Sequence, residues 1–306
     1  AMDTPEDVMP RHNNVPDSTA PSISSSAMLT ELNISQWTAR KKDGRASKEV
    51  TDKNNAETGV ANVHKDLMHK CVELDAVHKL TGNLRNIHYA MTMPWSDAGQ
   101  RLMPTAQYFK YHQTMTDLEN QWHNKVSAFL SSYQWAKSQA QAKQGDLYNS
   151  SDYPTLAQVE RKFGFRLAYI ELPDGGDWRL DINNEAMAEV RANYKDHYSR
   201  QLTNALNDVW TRLHTALTRM SSQLSYKADG KKEIFKDSLV GNVMDMVELL
   251  GVCNITGDSQ MTALKDELSG AMYGVTADVL REDTFTRDHT KRNIDQIIAK
   301  LPSLEV

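Results

Sequence analysis

Between residues 108 and 136 an apolar side chain recurs at nearly every third or fourth position: Tyr108, Tyr111, Met115, Leu118, Trp122, Phe129, Tyr133 and Ala136, with Lys125 and Val126 filling the gap. Only a helix gives that spacing a single face, because strand side chains alternate. The pattern predicts one helix over about 105–143, roughly 57 Å long at 1.5 Å per residue. Such a rod draws its stability from packing rather than propensity, so the stripe must meet another apolar surface. A second stripe runs through Val190, Tyr194, Tyr198, Leu202, Leu206, Val209, Leu213, Leu217, Met220 and Leu224. The two rods are expected to lie antiparallel and to bury one another.

Shorter helices follow from the same spacing. Val77, Leu80, Leu84, Ile87 and Met91 form one stripe, which Pro94 should end by pushing Met93 out of the α region. Pro104 is placed to open the long helix, and Gly145 to close it as a C-cap. Further helices are expected at 155–163, 234–251, 258–281 and 287–301, with Asp258 as an N-cap. "ARKKDGRASKEVTDKNNAETG" reads as one short exposed helix between loops.

One segment breaks the helical pattern. "YIELPDGGDWRLDI", 169–182, alternates like a half-buried ribbon around a loop at 173–177 in which Gly175 and Gly176 supply positive φ. Pairing Leu172 with Trp178 puts Leu172, Ile170, Ala168, Trp178, Leu180 and Ile182 on one face. Glu171, Arg179, Tyr169 and Asp181 then take the other. A two-stranded ribbon is marginal in water, so a third strand is expected, with 29–36 the candidate. The fold class is therefore mainly α: a bundle of long amphipathic helices with one β-hairpin at about 165–182. Residues 28–306 are read as a single domain. Residues 1–27, rich in Pro, Ser, Thr and Asn, are read as a flexible tail.

The 306 residues carry a formal net charge of −5, so no global basic field draws nucleic acid. No run of about 18 apolar residues suggests a membrane span. The polar N-terminus lacks the apolar core of a secretion signal, and Cys71 and Cys253 show no paired spacing, so a cytoplasmic protein with two reduced thiols is expected.

Signatures of the common catalytic classes are absent: GxxxxGKS/T, GxGxxG, HExxH, GxSxG and the EF-hand loop. His64 and His69, and His78 and His88, lack the i, i+4 spacing of a shared ligand face. His112 and His123 lie three turns apart, too far to share one ion. No catalytic residue, metal ligand or cofactor is assigned, and the chain is read as a non-enzyme. Asp174, Asp177 and Asp181 beside Glu171 could hold a divalent ion, but Asp-Gly is also what a hairpin loop requires. Asp174 and Asp177 at the ribbon tip, with Trp178 anchoring its base, are assigned instead to partner contact. Arg40, Lys41, Lys42 and Arg45, with Lys231 and Lys232, are the candidates for phosphate contact under the alternative reading, a single-strand nucleic-acid binder.

Four segments together, "LNISQWTARKKDGRASKEV", "NLRNIHYAMTMPWSDAGQRLMPTAQY", "DYPTLAQVERKFGF" and "LPDGGDWRLDI", resemble a phage and bacterial family known as domain of unknown function 3150. The likeness covers most of 29–270. It implies a bacteriophage origin, action in the infected bacterial cytoplasm, and work beside an AAA+ ATPase. It implies no catalytic residues. With the long apolar stripes, it leads to the expectation of an accessory or adaptor protein that acts through protein contacts and self-associates.

Overall fold

The computed structural model describes residues 25–173 and 185–303. Among these residues it is mainly helical, around a four-stranded antiparallel sheet with a separate two-stranded ribbon. In chain order the elements are β1 (Ala27–Ser35), β2 (Arg40–Asp43), α1 (Gly44–Lys53), β3 (Val63–Asp66), α2 (Val72–Met91), β4 (Met93–Pro94), β5 (Arg101–Pro104) and α3 (Tyr108–Gln144). There follow α4 (Leu156–Glu160), β6 (Gly164–Ile170), α5 (Glu185–Leu224), α6 (Asp237–Cys253), α7 (Ser259–Met272), α8 (Ala277–Glu282) and α9 (Thr284–Lys300).

The sheet runs β4-β5-β1-β6. β1 takes the place of the expected third strand, pairing with β6 from Leu29↔Ile170 to Ser35↔Gly164. Residues 174–184, which include most of the expected loop and returning strand, lie outside the described residues. Ala27 is buried and opens β1, so the structured chain begins earlier than the expected tail boundary.

Alternation along the strands sends side chains into two separate cores. Met28, Leu32, Ile34, Met103, Phe165, Leu167 and Tyr169 pack against α2 and α3. Ala27, Leu29, Met93, Leu102 and Ile170 pack against the bundle of α5 to α9. Both faces of the sheet are thus covered by helices. This corrects the reading of Tyr169 as a residue of a charged face: its ring meets Tyr108 edge-on at 5.2 Å and its hydroxyl bonds His112 at 2.8 Å.

The sheet also corrects the expected pairing of the two long rods. The buried stripe of α3 (Tyr111, Met115, Trp122, Phe129, Tyr133) joins one core; that of α5 (Leu202, Val209, Leu213, Leu217, Leu224) joins the other. α3 packs on α2, and α5 packs on α6 and α9. Each stripe finds a shorter helix, because the strands occupy the layer between the cores.

Local chemistry explains most boundaries. Gly145 closes α3 at φ 55°. Asp258 caps α7 by accepting from the amides of Gln260 and Met261. Thr155 and Gln158 form a reciprocal capping box on α4. The single helix expected at 258–281 is two, because the chain turns at Tyr273–Thr276 with Gly274 at φ 70°. β2 and β3 form an antiparallel pair that the charged sequence concealed. Helix α1 alone follows the reading of 39–59, and Asp43 caps it at Ala46.

Candidate functional site

The cationic residues singled out in the sequence fall on two different parts of the molecule. On the β2–β3 ribbon, Lys41, Asp43 and Lys65 share one face by register. Asp152 reaches that face from the turn after α3, 3.2 Å from Lys41 and 2.5 Å from Lys65, and Lys65 also lies 3.7 Å from Asp43. Lys65 and Asp152 are both buried, so this is an internal ionic clip. Burial raises the Asp152 pKa, but the hydrogen bonds and charges of Lys65 and Lys41 outweigh it and hold the carboxyl below its ordinary value. Arg45 pairs with Glu49 on the surface. Arg40 and Lys42 remain exposed on the outer face, across from Asp66 and His64.

Lys231 and Lys232 belong to the turn after α5. Lys231 pairs with Asp229 at 3.4 Å, and Lys232 donates to the Arg281 carbonyl. Beneath them Arg287, 1% exposed, donates to the carbonyls of Gln223, Leu224, Ser225, Glu233 and Leu280. The two basic clusters therefore sit over different cores and do not form one surface track. Asp174, Asp177, Trp178 and Asp181 lie outside the described residues.

Polar chemistry inside the molecule concentrates where α2 ends. His88 Nδ1 lies 2.7 Å from the Tyr111 hydroxyl, which lies 3.3 Å from Thr30 Oγ1. Thr30 donates to the Ala168 carbonyl. One proton arrangement makes every bond once: His88 Nδ1–H to Tyr111, Tyr111 O–H to Thr30, Thr30 O–H to Ala168. This places a proton on His88 Nδ1. Burial, with Arg101 nearby, pushes its pKa down to about 4, and burial pushes the Tyr111 hydroxyl well up.

One turn later two guanidiniums close the helix. Arg101 donates to the carbonyls of Tyr89 and Thr92 and to Thr92 Oγ1, with its plane 4.9 Å above the Tyr89 ring. Arg212, from α5, donates to the carbonyls of Ala90 and Thr92 and pairs with Asp208 at 2.8 Å. The C-terminal carbonyls of α2 carry partial negative charge, so both cations are well placed.

Beside this joint a cleft of about 560 Å³ opens between the two helical layers. Its walls come from the end of α2 (Ile87, Tyr89, Met91), the start of α3 (Lys110), α5 (Arg212) and α6 (Met246). A second depression of about 350 Å³ continues it along α5 and α6, sharing Arg212, Asp245 and Met246 and ending near Arg219 and Leu239. The lining is mostly apolar, with charge at the rim, where Lys110 and Glu248 pair at 2.6 Å. Sequence periodicity marked Ile87, Met91 and Met246 as core positions. Nothing in the spacing distinguished core from cleft wall, because that depends on how closely α6 approaches α2.

Other chemistry-bearing groups are occupied locally. His78 bonds the Trp37 carbonyl, and His123 pairs with Glu119. Ser221, Lys291 and Asp295 bond one another between α5 and α9. Cys71 and Cys253 are free and buried in different cores; burial pushes the Cys253 thiol up to about 12. Among the described residues, no group of three or more His, Cys, Asp or Glu side chains could hold a metal, and no helix is long and apolar enough to cross a membrane. No protein family, curated protein or solved structure matches the chain, so the likeness drawn from its four segments rests on those segments alone.

Proposed function

We propose that the chain is a non-enzymatic bacteriophage accessory protein, an adaptor acting through protein contacts in the infected bacterial cytoplasm, beside an AAA+ ATPase and as a homo-oligomer. The phage setting and the ATPase come from the family resemblance. The adaptor role is supported chiefly by one observation: an apolar cleft with a charged rim where α2, α3, α5 and α6 meet. Clefts of this size and lining are common sites of recognition. Tagged protein captured from infected cells, followed by mass spectrometry, tests the reading. A stoichiometric protein partner is the expected result. No partner, together with a monomer by light scattering, would reject it.

A second reading, single-strand nucleic-acid binding in phage replication or recombination, is favoured by one feature. Arg40 and Lys42 stand exposed on one face of the β2–β3 ribbon, free of the Asp152 clip that holds Lys41. Gel shifts with an oligothymidine at low and moderate salt test it. Binding that fades with salt and with an R40E/K42E double substitution supports it; no shift at low salt removes it, since the electrostatic contribution is strongest there.

A further inference from the structure

We infer that the cleft and its continuation form one groove that receives an amphipathic helix from a partner protein, with an acidic flank against α5 and a basic flank against α6. This deepens the adaptor reading and rests on it. The juxtaposition that carries it is a pair of opposed walls of opposite sign. α5 contributes Arg212 and Arg219; α6 contributes Asp245 and Glu248. Arg212 is engaged by Asp208 and two carbonyls, and Glu248 by Lys110. Arg219 and Asp245 are exposed and line the groove from opposite sides.

Three further observations select a helix as the occupant. Every wall residue named is helical, so the groove offers no strand edge to which an extended peptide could add. The α6 wall from Leu239 to Leu249 is about 15 Å long, which matches apolar anchors spaced i, i+4 and i+7 on two to three helical turns. The floor carries Met91 and Met246, whose unbranched thioethers adapt to a partner's side chains. At the mouth Tyr89, 48% exposed, presents the type of side chain that anchors interfaces.

Three stapled, fluorescein-labelled peptides of about 12 residues test this, each with leucine at i, i+4 and i+7. One carries Glu along one flank and Lys along the other; the second carries Glu on both flanks and the third Lys on both. A helix reversed in the groove exchanges its flanks, so the mixed peptide has one direction that matches both walls, whereas a uniform peptide meets one like-charged wall in either direction. By anisotropy, the mixed peptide is expected to bind about threefold or more tighter than either uniform one, the modest gain of rim charges. R219E should shift preference to the all-Lys peptide and D245K to the all-Glu peptide.

Ala90→Trp and Asn242→Trp, at exposed positions on the cleft and its continuation, should each block all three peptides about tenfold or more. No binding by wild type, an unchanged preference in both charge variants, or binding indifferent to both tryptophans would overturn the inference. The two readings fail separately. A cellular partner still captured by the tryptophan variants keeps the adaptor and removes the groove. Peptides graded as expected, with nothing captured from cells and a monomer by light scattering, keep the groove and remove the adaptor.

Discussion

Arg101 and Arg212 donate to the same acceptor, the Thr92 carbonyl, at 3.1 and 2.8 Å, from two different elements. Arg101 comes from the sheet and Arg212 from α5, in the layer beyond it. Two like charges share one oxygen because the end of α2 supplies several other carbonyls, and Asp208 balances Arg212. The joint between the two cores is therefore polar and directional rather than greasy.

Replacing Arg212 with Met should weaken this joint. It removes two bonds to α2 carbonyls and leaves Asp208 without its partner, a loss of about 2–3 kcal/mol. Urea unfolding should show a lower midpoint. Hydrogen exchange should localise the change to the end of α2 and the middle of α5. An unchanged midpoint would mean that the cores are held together without this bond set.

The Lys65–Asp152 clip predicts strong coupling. Both partners are buried, so Asp152→Leu leaves Lys65 only Asp43 at 3.7 Å and the Leu147 carbonyl and should cost about 3 kcal/mol, whereas a Lys65→Met/Asp152→Leu pair should recover part of that loss. A double-mutant cycle by chemical denaturation reads the coupling. Additive single effects would show that the clip contributes no pairwise energy.

His88 gives stability a defined pH dependence. Its folded pKa, about 4, lies below the ordinary 6.5, so the unfolded chain takes up the proton first as pH falls. The contribution is complete above pH 6.5 and is lost progressively down to about pH 4, up to about 3 kcal/mol in total. His88→Gln should be less stable at pH 7 but should flatten the slope across this window. Asp152 and Asp295, whose pKa values are held below the carboxylate norm, lose their contribution at lower pH, beneath that window.

Arg287 should be among the least replaceable residues. It donates to five carbonyls from α5, the following turn and α8, and stacks 5.6 Å from the Tyr226 ring. Substitution by Met leaves those acceptors unmet in an interior site, at a cost of about 3–5 kcal/mol. Lys should rescue little, since one ammonium cannot span the fork. Thermal melts of the two variants decide; rescue by Lys to near wild type would show that charge alone suffices.

Cys253 has no exposed surface, and burial holds its thiol up at about 12. It should resist an aromatic disulfide reagent in the native protein and react in denaturant. Fast native labelling of Cys253 would reveal opening of the α5–α9 core.

The sequence by itself determined the helices and most of their ends. The stripes through Tyr111–Tyr133 and Leu202–Leu224 admit one periodicity, and Gly145, Asp258 and Thr155 carry their capping chemistry in their own side chains or backbone freedom. It also marked 29–36 as a strand seeking a neighbour. What it could not contain was the partner of each stripe. An apolar face specifies burial, not what buries it, so antiparallel rods and a sheet between two cores satisfy the same pattern. The β2–β3 pair was hidden because its strands are charged, and its stability comes from Asp152 more than 80 residues away. The cleft was hidden for a related reason: Met91, Met246 and Ile87 look like core residues until the distance between α2 and α6 leaves a groove between them. Periodicity is set within a few turns of chain, whereas the ion clip, the shared Thr92 carbonyl and the groove exist only where distant segments meet.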